Sequence, residues 1–140
     1  MAFFFFGTLL DPDVLGFVLD RPLRADELTA ASLAGYARVC SADKTYPVLI
    51  EQTDASVEGA IMLAPSPRDE LRIQHFESEE YDPAWRRVSL TNGTYVDARV
   101  FMALASMSPG SEPWDLHGWA ARHKAVFLQR CVYWMVDAPS

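Results

Sequence analysis

Two short segments carry residue types that could do chemistry: the turn Phe6-Gly7-Thr8-Leu9 near the start of the chain, and Glu77 within His75-Phe76-Glu77-Ser78. A glycine-led turn permits either a positive φ or a close backbone approach, and an anion-binding turn needs one or the other. Successive amides at Gly7, Thr8 and Leu9 could converge as a nest on a carboxylate or a developing oxyanion, with no cationic side chain required. A well-placed glutamate can move a proton to or from a reacting group. Together the two segments point to a small-molecule acyl-transfer site. Each also has a plainer reading. A lone Gly-Thr is more often an ordinary strand-to-helix turn, and on spacing alone Glu77, with Glu79 and Glu80 beside it, reads as a solvated carboxylate at a helix end.

The neighbouring candidates are weaker. Tyr81 either points its hydroxyl into the site or, the favoured reading, anchors the loop that carries Glu77 with a buried ring and a satisfied hydroxyl. Arg86 and Arg87 are adjacent on an expected strand, so at most one of them faces a cleft, and a solvated face is the default for both. His75, His117 and His123 lack the spacing of a metal-ligand set and are read as structural, so no metal is expected. Cys40 and Cys131 stand far apart with no Cys-x-x-Cys pair, which fits two buried thiols in a reduced compartment. The four tryptophans and Phe127 read as core and lid rather than a stacking platform for bases.

These residues need elements to hold them. The run Phe3-Phe4-Phe5-Phe6 suits a strand over Ala2–Phe6 buried on both faces. Asp11-Pro12 then supplies an N-cap and a first-turn proline for a short helix through Val14, Leu15, Val18 and Leu19, ended by Arg21-Pro22. Three apolar segments, Ala31–Cys40, Tyr46–Ile50 and Val57–Leu63, read as separate strands divided by the turn-rich Ser41–Lys44 and Gln52–Asp54. Ser66-Pro67-Arg68-Asp69 has the form of a capping box and starts a helix through Leu71 to about His75, which leaves Glu77 just past its end. Asn92-Gly93 predicts a type I′ hairpin between Trp85–Leu90 and Tyr95–Met102. From Trp114 onward, apolar residues recur near a 3.6 period, which predicts one C-terminal amphipathic helix. Strands clustered between a few helices, without regular βαβ spacing, indicate an α+β fold whose mixed sheet curls into a partial barrel.

The 140 residues, half of them apolar, suffice for one domain with its own core. A net charge of −7 spread along the chain leaves no basic stripe, so nucleic acid is not expected as a partner. The opening apolar run is too short for a secretory h-region and lacks a basic flank. Nothing approaches the roughly 20 apolar residues of a membrane span, so a cytoplasmic protein with no membrane partner is expected.

The order of several motifs resembles the γ-glutamylcyclotransferase-like family. Its members open with a Tyr-Gly-Thr-Leu or Tyr-Gly-Ser-Asn turn after a first strand, where this chain has Phe6-Gly7-Thr8-Leu9. They carry a Phe-Glu-Gly-x-x-Tyr segment after a short helix, here Phe76-Glu77-Ser78-Glu79-Glu80-Tyr81, which leads into Arg87-Val88-Ser89-Leu90. Tyr46-Pro47 and Val57-Glu58-Gly59 fit the same pattern, so the resemblance spans most of residues 3 to 103. It implies a small, mixed, partly closed β-barrel with peripheral helices, and a cofactor-free reaction in which the α-amine of a γ-glutamyl amine or peptide attacks its own γ-carbonyl. The products would be 5-oxoproline and a free amine. Glu77 is then the catalytic acid/base, and Phe6, Gly7, Thr8, Leu9 and Tyr81 are substrate-binding positions. For this work Glu77 needs a pKa raised from about 4.3 towards the ammonium's value near 8, and apolar neighbours such as Phe76 and the barrel mouth are expected to raise it.

Three departures bear on the substrate. Phe6 lacks the usual tyrosine hydroxyl, Ser78 replaces the usual glycine, and Asp82-Pro83-Ala84-Trp85 lengthens the link to the next strand and would reshape the cleft rim. Two alternatives stand beside the enzyme: a ligand-binding or sensing domain that keeps the cleft without turnover, and an interaction module using the aromatic C-terminal helix. Oligomeric state is not legible in the residues.

Overall fold

A computed structural model describes residues 2–78, 80–104 and 107–139. Strand β1 (Phe3–Phe5) lies between β3 (Pro47–Met62), antiparallel to it, and β5 (Tyr95–Ala103), parallel to it. From β5 the sheet runs through β4 (Tyr81–Leu90) to β2 (Thr29–Ser41), and β2 pairs back onto β3 over most of its length. The five strands therefore close into a mixed barrel, as the expected fold class has it. Strand β6 (Pro109–Pro113) adds to the outer edge of β2.

The four phenylalanines explain how barrel and helices share one core. Alternation along the strand sends Phe4 and Phe6 into the barrel interior among Ala31, Leu33, Val57, Ile61, Val88 and Val100. Phe3 and Phe5 face the opposite way, onto the helices, among Leu15, Leu19, Ile73, Trp119 and Phe127. All four rings are buried, as expected of a strand covered on both faces. The helices are α1 (Pro12–Leu19), α2 (Pro67–Glu77), α3 (Leu116–Arg122) and α4 (Lys124–Trp134). Asp11 caps α1, accepting from the amides of Asp13 and Val14 at 3.0 and 3.2 Å.

Several expectations need correction. Residues 52–54 do not separate two strands: β3 is continuous, and Gln52–Ala55 bulge opposite the single residue Gly35 between the Ala34↔Ser56 and Tyr36↔Glu51 pairs. The hairpin is real but its turn is not type I′. Gly93 alone has a positive φ, 85°, and its N–H returns to the Leu90 carbonyl, a three-residue loop with a glycine bulge. Pro83 and Trp85 lengthen no loop, because β4 starts at Tyr81 and Asp82 to Trp85 pair with Met102 to Arg99. The C-terminal helix is two helices, broken at His123 (φ −128°, ψ −16°). Strand β6 is not expected from the sequence, because Pro-Gly-Ser-Glu-Pro carries no strand signal.

Candidate active site

The turn at the end of β1, the turn between β2 and β3, the end of α2 and the inner face of α4 enclose a cavity of about 700 Å3 at the barrel mouth. Phe6, Gly7, Thr8 and Leu9 line it on one side; Glu77, Glu80 and Tyr81 also line it. The structure thus brings together the two segments that the sequence places some seventy residues apart.

Glycine at position 7 has a specific cause. Its φ of −126° suits any residue, so the positive-φ reading does not apply. A Cβ there would stand 3.0 Å from Cγ of Pro47 and 3.2 Å from its Cδ, so the turn needs glycine for close approach. Thr8–Leu10 form one 3-10 turn, in which the amides of Leu10 and Asp11 bond back to the Gly7 and Thr8 carbonyls at 3.0 Å. The geometry of such a turn leaves the amides at its start, Thr8 and Leu9, without partners inside it.

Glu77 is the last residue of α2, not a residue beyond it. The helix starts where Ser66 accepts the Asp69 amide at 3.1 Å, but Asp69 does not complete a capping box: its carboxylate binds Arg21 at 2.9 and 3.2 Å. Inside the cavity wall, burial pushes the Glu77 carboxyl up to about 8, and the charge of Glu80 pushes in the same direction. Two carboxyl groups thus share one wall.

Each has different support. Tyr46 donates its hydroxyl to Oε1 of Glu80, and burial together with that carboxylate holds the phenol in its neutral form. Tyr81 donates to the Pro47 carbonyl at 2.6 Å, which ties the first residue of β4 to the first residue of β3 and pins the proline that touches Gly7. Arg38, on β2, donates through Nη1 to the carbonyls of Phe6 (2.8 Å) and Glu58 (3.0 Å), and through Nε to that of Trp114 (3.2 Å). It holds the residue before Gly7 in place.

Aromatic rings also line the cavity. Phe127 meets Tyr46, Phe76 and Trp134 with ring centroids 5.3–6.1 Å apart, in edge-to-face arrangements. Nε2 of His75 bonds the Trp134 carbonyl at 2.8 Å, joining the end of α2 to the end of α4. Lys44, Arg130 and Asp137 stand exposed at the rim. Arg86 bonds the Tyr36 hydroxyl at 3.0 Å and Arg87 stacks on Tyr95, and neither lines the cavity.

Sequence reasoning misses Glu80 and Arg38. Glu80 reads as one of the solvated neighbours of Glu77; the signal that could have found it is that the two stand three positions apart, close to one helical turn. Arg38 interrupts an otherwise apolar and small strand segment, Ala37-Arg38-Val39, which marks a cation with a specific partner.

The chain is similar to several known proteins. AIG2-like protein A of Arabidopsis thaliana is 24% identical over 132 residues, covering 90% of this chain and 76% of its own length. A solution structure from the same plant superposes with a TM-score of 0.69 at 21% identity, over 96% of this chain and 89% of that one. A structure named gamma-glutamyl cyclotransferase superposes with a TM-score of 0.57 at 13% identity, over 100% of this chain and 89% of that one. A family model described as "Gamma-glutamyl cyclotransferase, AIG2-like" matches residues 3–121, and this chain belongs to that family.

Proposed function

We propose that the cavity carries out γ-glutamyl cyclotransfer without a cofactor. The carrying observation is Glu77: a carboxyl raised to about 8 that lines the same cavity as a glycine turn whose first amides have no partner inside the turn. In this reaction the α-ammonium of the substrate loses a proton to Glu77, its nitrogen bonds to the γ-carbonyl carbon, and the bond to the distal amine breaks. Glu77 then gives that proton to the departing amine, and the second proton that the attacking nitrogen sheds in becoming a lactam N–H follows the same route. The amine thus leaves as an ammonium, and one group with a pKa close to that of an α-ammonium serves as base and then acid. The turn supplies the complementary charge: amides of Thr8 and Leu9 face the developing oxyanion or the α-carboxylate. Tyr81, its hydroxyl committed to Pro47, shapes the wall with its ring.

The protein and its Glu77→Gln variant, incubated with a panel of γ-glutamyl amines and peptides, test this by mass spectrometry of 5-oxoproline. Product from the parent alone is expected. Phe6 presents a ring without a hydroxyl at the turn, and that favours the second reading, a binding or sensing domain. Thermal stabilisation by a panel member with no product from either protein would establish it.

A further inference from the structure

A γ-glutamyl compound brings an α-ammonium as well as an α-carboxylate, and a cation entering an aromatic-walled cavity needs a charged partner there. In the resting protein Glu77 does not supply that charge, because a carboxyl near 8 is mostly protonated at neutral pH. Besides Glu77 and Glu80, the acidic residues that line the cavity among the described residues are Asp43 and Asp137, both exposed at the rim. Glu80 is half-buried in the same wall, and its charge reaches Glu77. Its Oε1 accepts the Tyr46 hydroxyl, which orients the carboxylate from the turn between β2 and β3. Among the described residues no lysine, arginine or histidine forms an ion pair with it, and no hydrogen bond engages its Oε2. A carboxylate positioned by a neutral donor and left without a cation is suited to receive one from a ligand.

We propose that Glu80, oriented by Tyr46, is the binding residue for the α-ammonium of the substrate. The assignment rests on the cyclotransferase reading and adds a division of labour to it. Glu80 holds the cation while the glycine turn holds the anionic end, which sets the γ-carbonyl in a fixed orientation between them. The bound cation also offsets the charge of Glu80 felt by Glu77. That favours the ionised form of Glu77 when a proton has to be taken, and links basicity to occupancy of the site.

The test separates binding from turnover. In a Glu77→Gln background, which removes the proton shuttle, calorimetry at pH 7 measures binding of γ-glutamylethylamide and of N-ethylglutaramic acid, the same molecule without its α-amine. Adding Glu80→Gln should weaken the amine-bearing ligand roughly thirtyfold or more and change the other by no more than about twofold. Tyr46→Phe should give a smaller loss, about fivefold, with the same selectivity. Equal losses for both ligands, or none, would overturn the role of Glu80 while leaving the cyclotransferase reading intact. Should neither ligand bind the parent or any variant, that reading falls and Glu80 with it. If Glu80→Gln does not fold, Glu80→Asp and Tyr46→Phe carry the comparison, with a selective loss for the amine-bearing ligand expected and a uniform one decisive against it.

Discussion

Gly7 shows how one missing methyl fixes the turn. Because its φ is ordinary, Gly7→Ala carries no dihedral penalty, and the whole effect lies in the contact with Pro47 at 3.0 Å. Pro47 has little freedom to retreat: its carbonyl accepts the Tyr81 hydroxyl and its ring packs on the turn. We expect Gly7→Ala to cost about 1 kcal/mol of stability, the lower range of overpacking, and to lower kcat/KM about tenfold by displacing the amides of Thr8 and Leu9. Urea unfolding and initial rates check the two effects separately. A variant that loses stability but keeps its rate would show that the turn does not position substrate. The sequence made Gly7 visible, but it offered two reasons for a glycine. Only the packing of Pro47, forty residues away in the chain, distinguishes close approach from a positive φ.

At the scale of elements, the strands and helices with regular patterns were legible and the joints between them were not. The four-phenylalanine strand, the proline-initiated helices and the hairpin follow from periodicity and end signals that lie within each segment. The continuity of β3 through Gln52-Thr53-Asp54 does not, because polar residues read as a turn locally while β2, running alongside, keeps them extended on both sides of a bulge. The break at His123 is equally silent: Arg122-His123-Lys124 has no proline or glycine, and the apolar period continues across it. The site suffered the same limit, since Glu77 stood out only through the order of motifs along the chain, and Tyr46 and Arg38 act only across strands. Where β1 meets β3 the packing leaves no room for a methyl group at Gly59. A Cβ on Gly59 would stand 2.2 Å from the Phe5 carbonyl oxygen and 2.8 Å from Cζ of Phe4, a backbone clash that no rotamer relieves. Gly59→Ala should therefore cost about 3 kcal/mol or more, at or beyond the upper range of overpacking, and shift the urea midpoint accordingly. If the midpoint is unchanged, β1 and β3 are not packed as closely as the register implies.

For the molecule as a whole, two sets of carboxyl groups pull stability in opposite directions along the pH axis. At one end of α2, Arg21 donates to both oxygens of Glu27 at 2.8 and 2.9 Å and to Asp69, and holds Glu27 down to about 2. A carboxyl lowered on folding contributes stability that is present above its unfolded value, near 4.5, and is lost as pH falls towards 2. At the other end of α2, Glu77 is raised to about 8, chiefly by burial. Its sign is reversed: the folded state binds the proton more tightly, so stability is complete below 4.5 and declines as pH rises through 8. Each tenfold gain in proton affinity on folding is worth about 1.4 kcal/mol, and with the partial exposure of Glu77 discounted the alkaline loss is on the order of 2 kcal/mol. The melting temperature should accordingly peak near pH 5 and fall on both sides. Glu77→Gln should flatten the alkaline side and leave the acid side unchanged. Arg21→Met should lower the melting temperature across the neutral range, because Asp69 is then buried without its cation and Glu27 keeps only the exposed Arg24 at 3.5 Å, and should lessen the further loss on acidification. Calorimetry from pH 3 to 9 on the three proteins resolves this. An alkaline decline that persists unchanged in Glu77→Gln would assign it to the general negative charge of the chain instead, and would remove the stability cost attributed to Glu77.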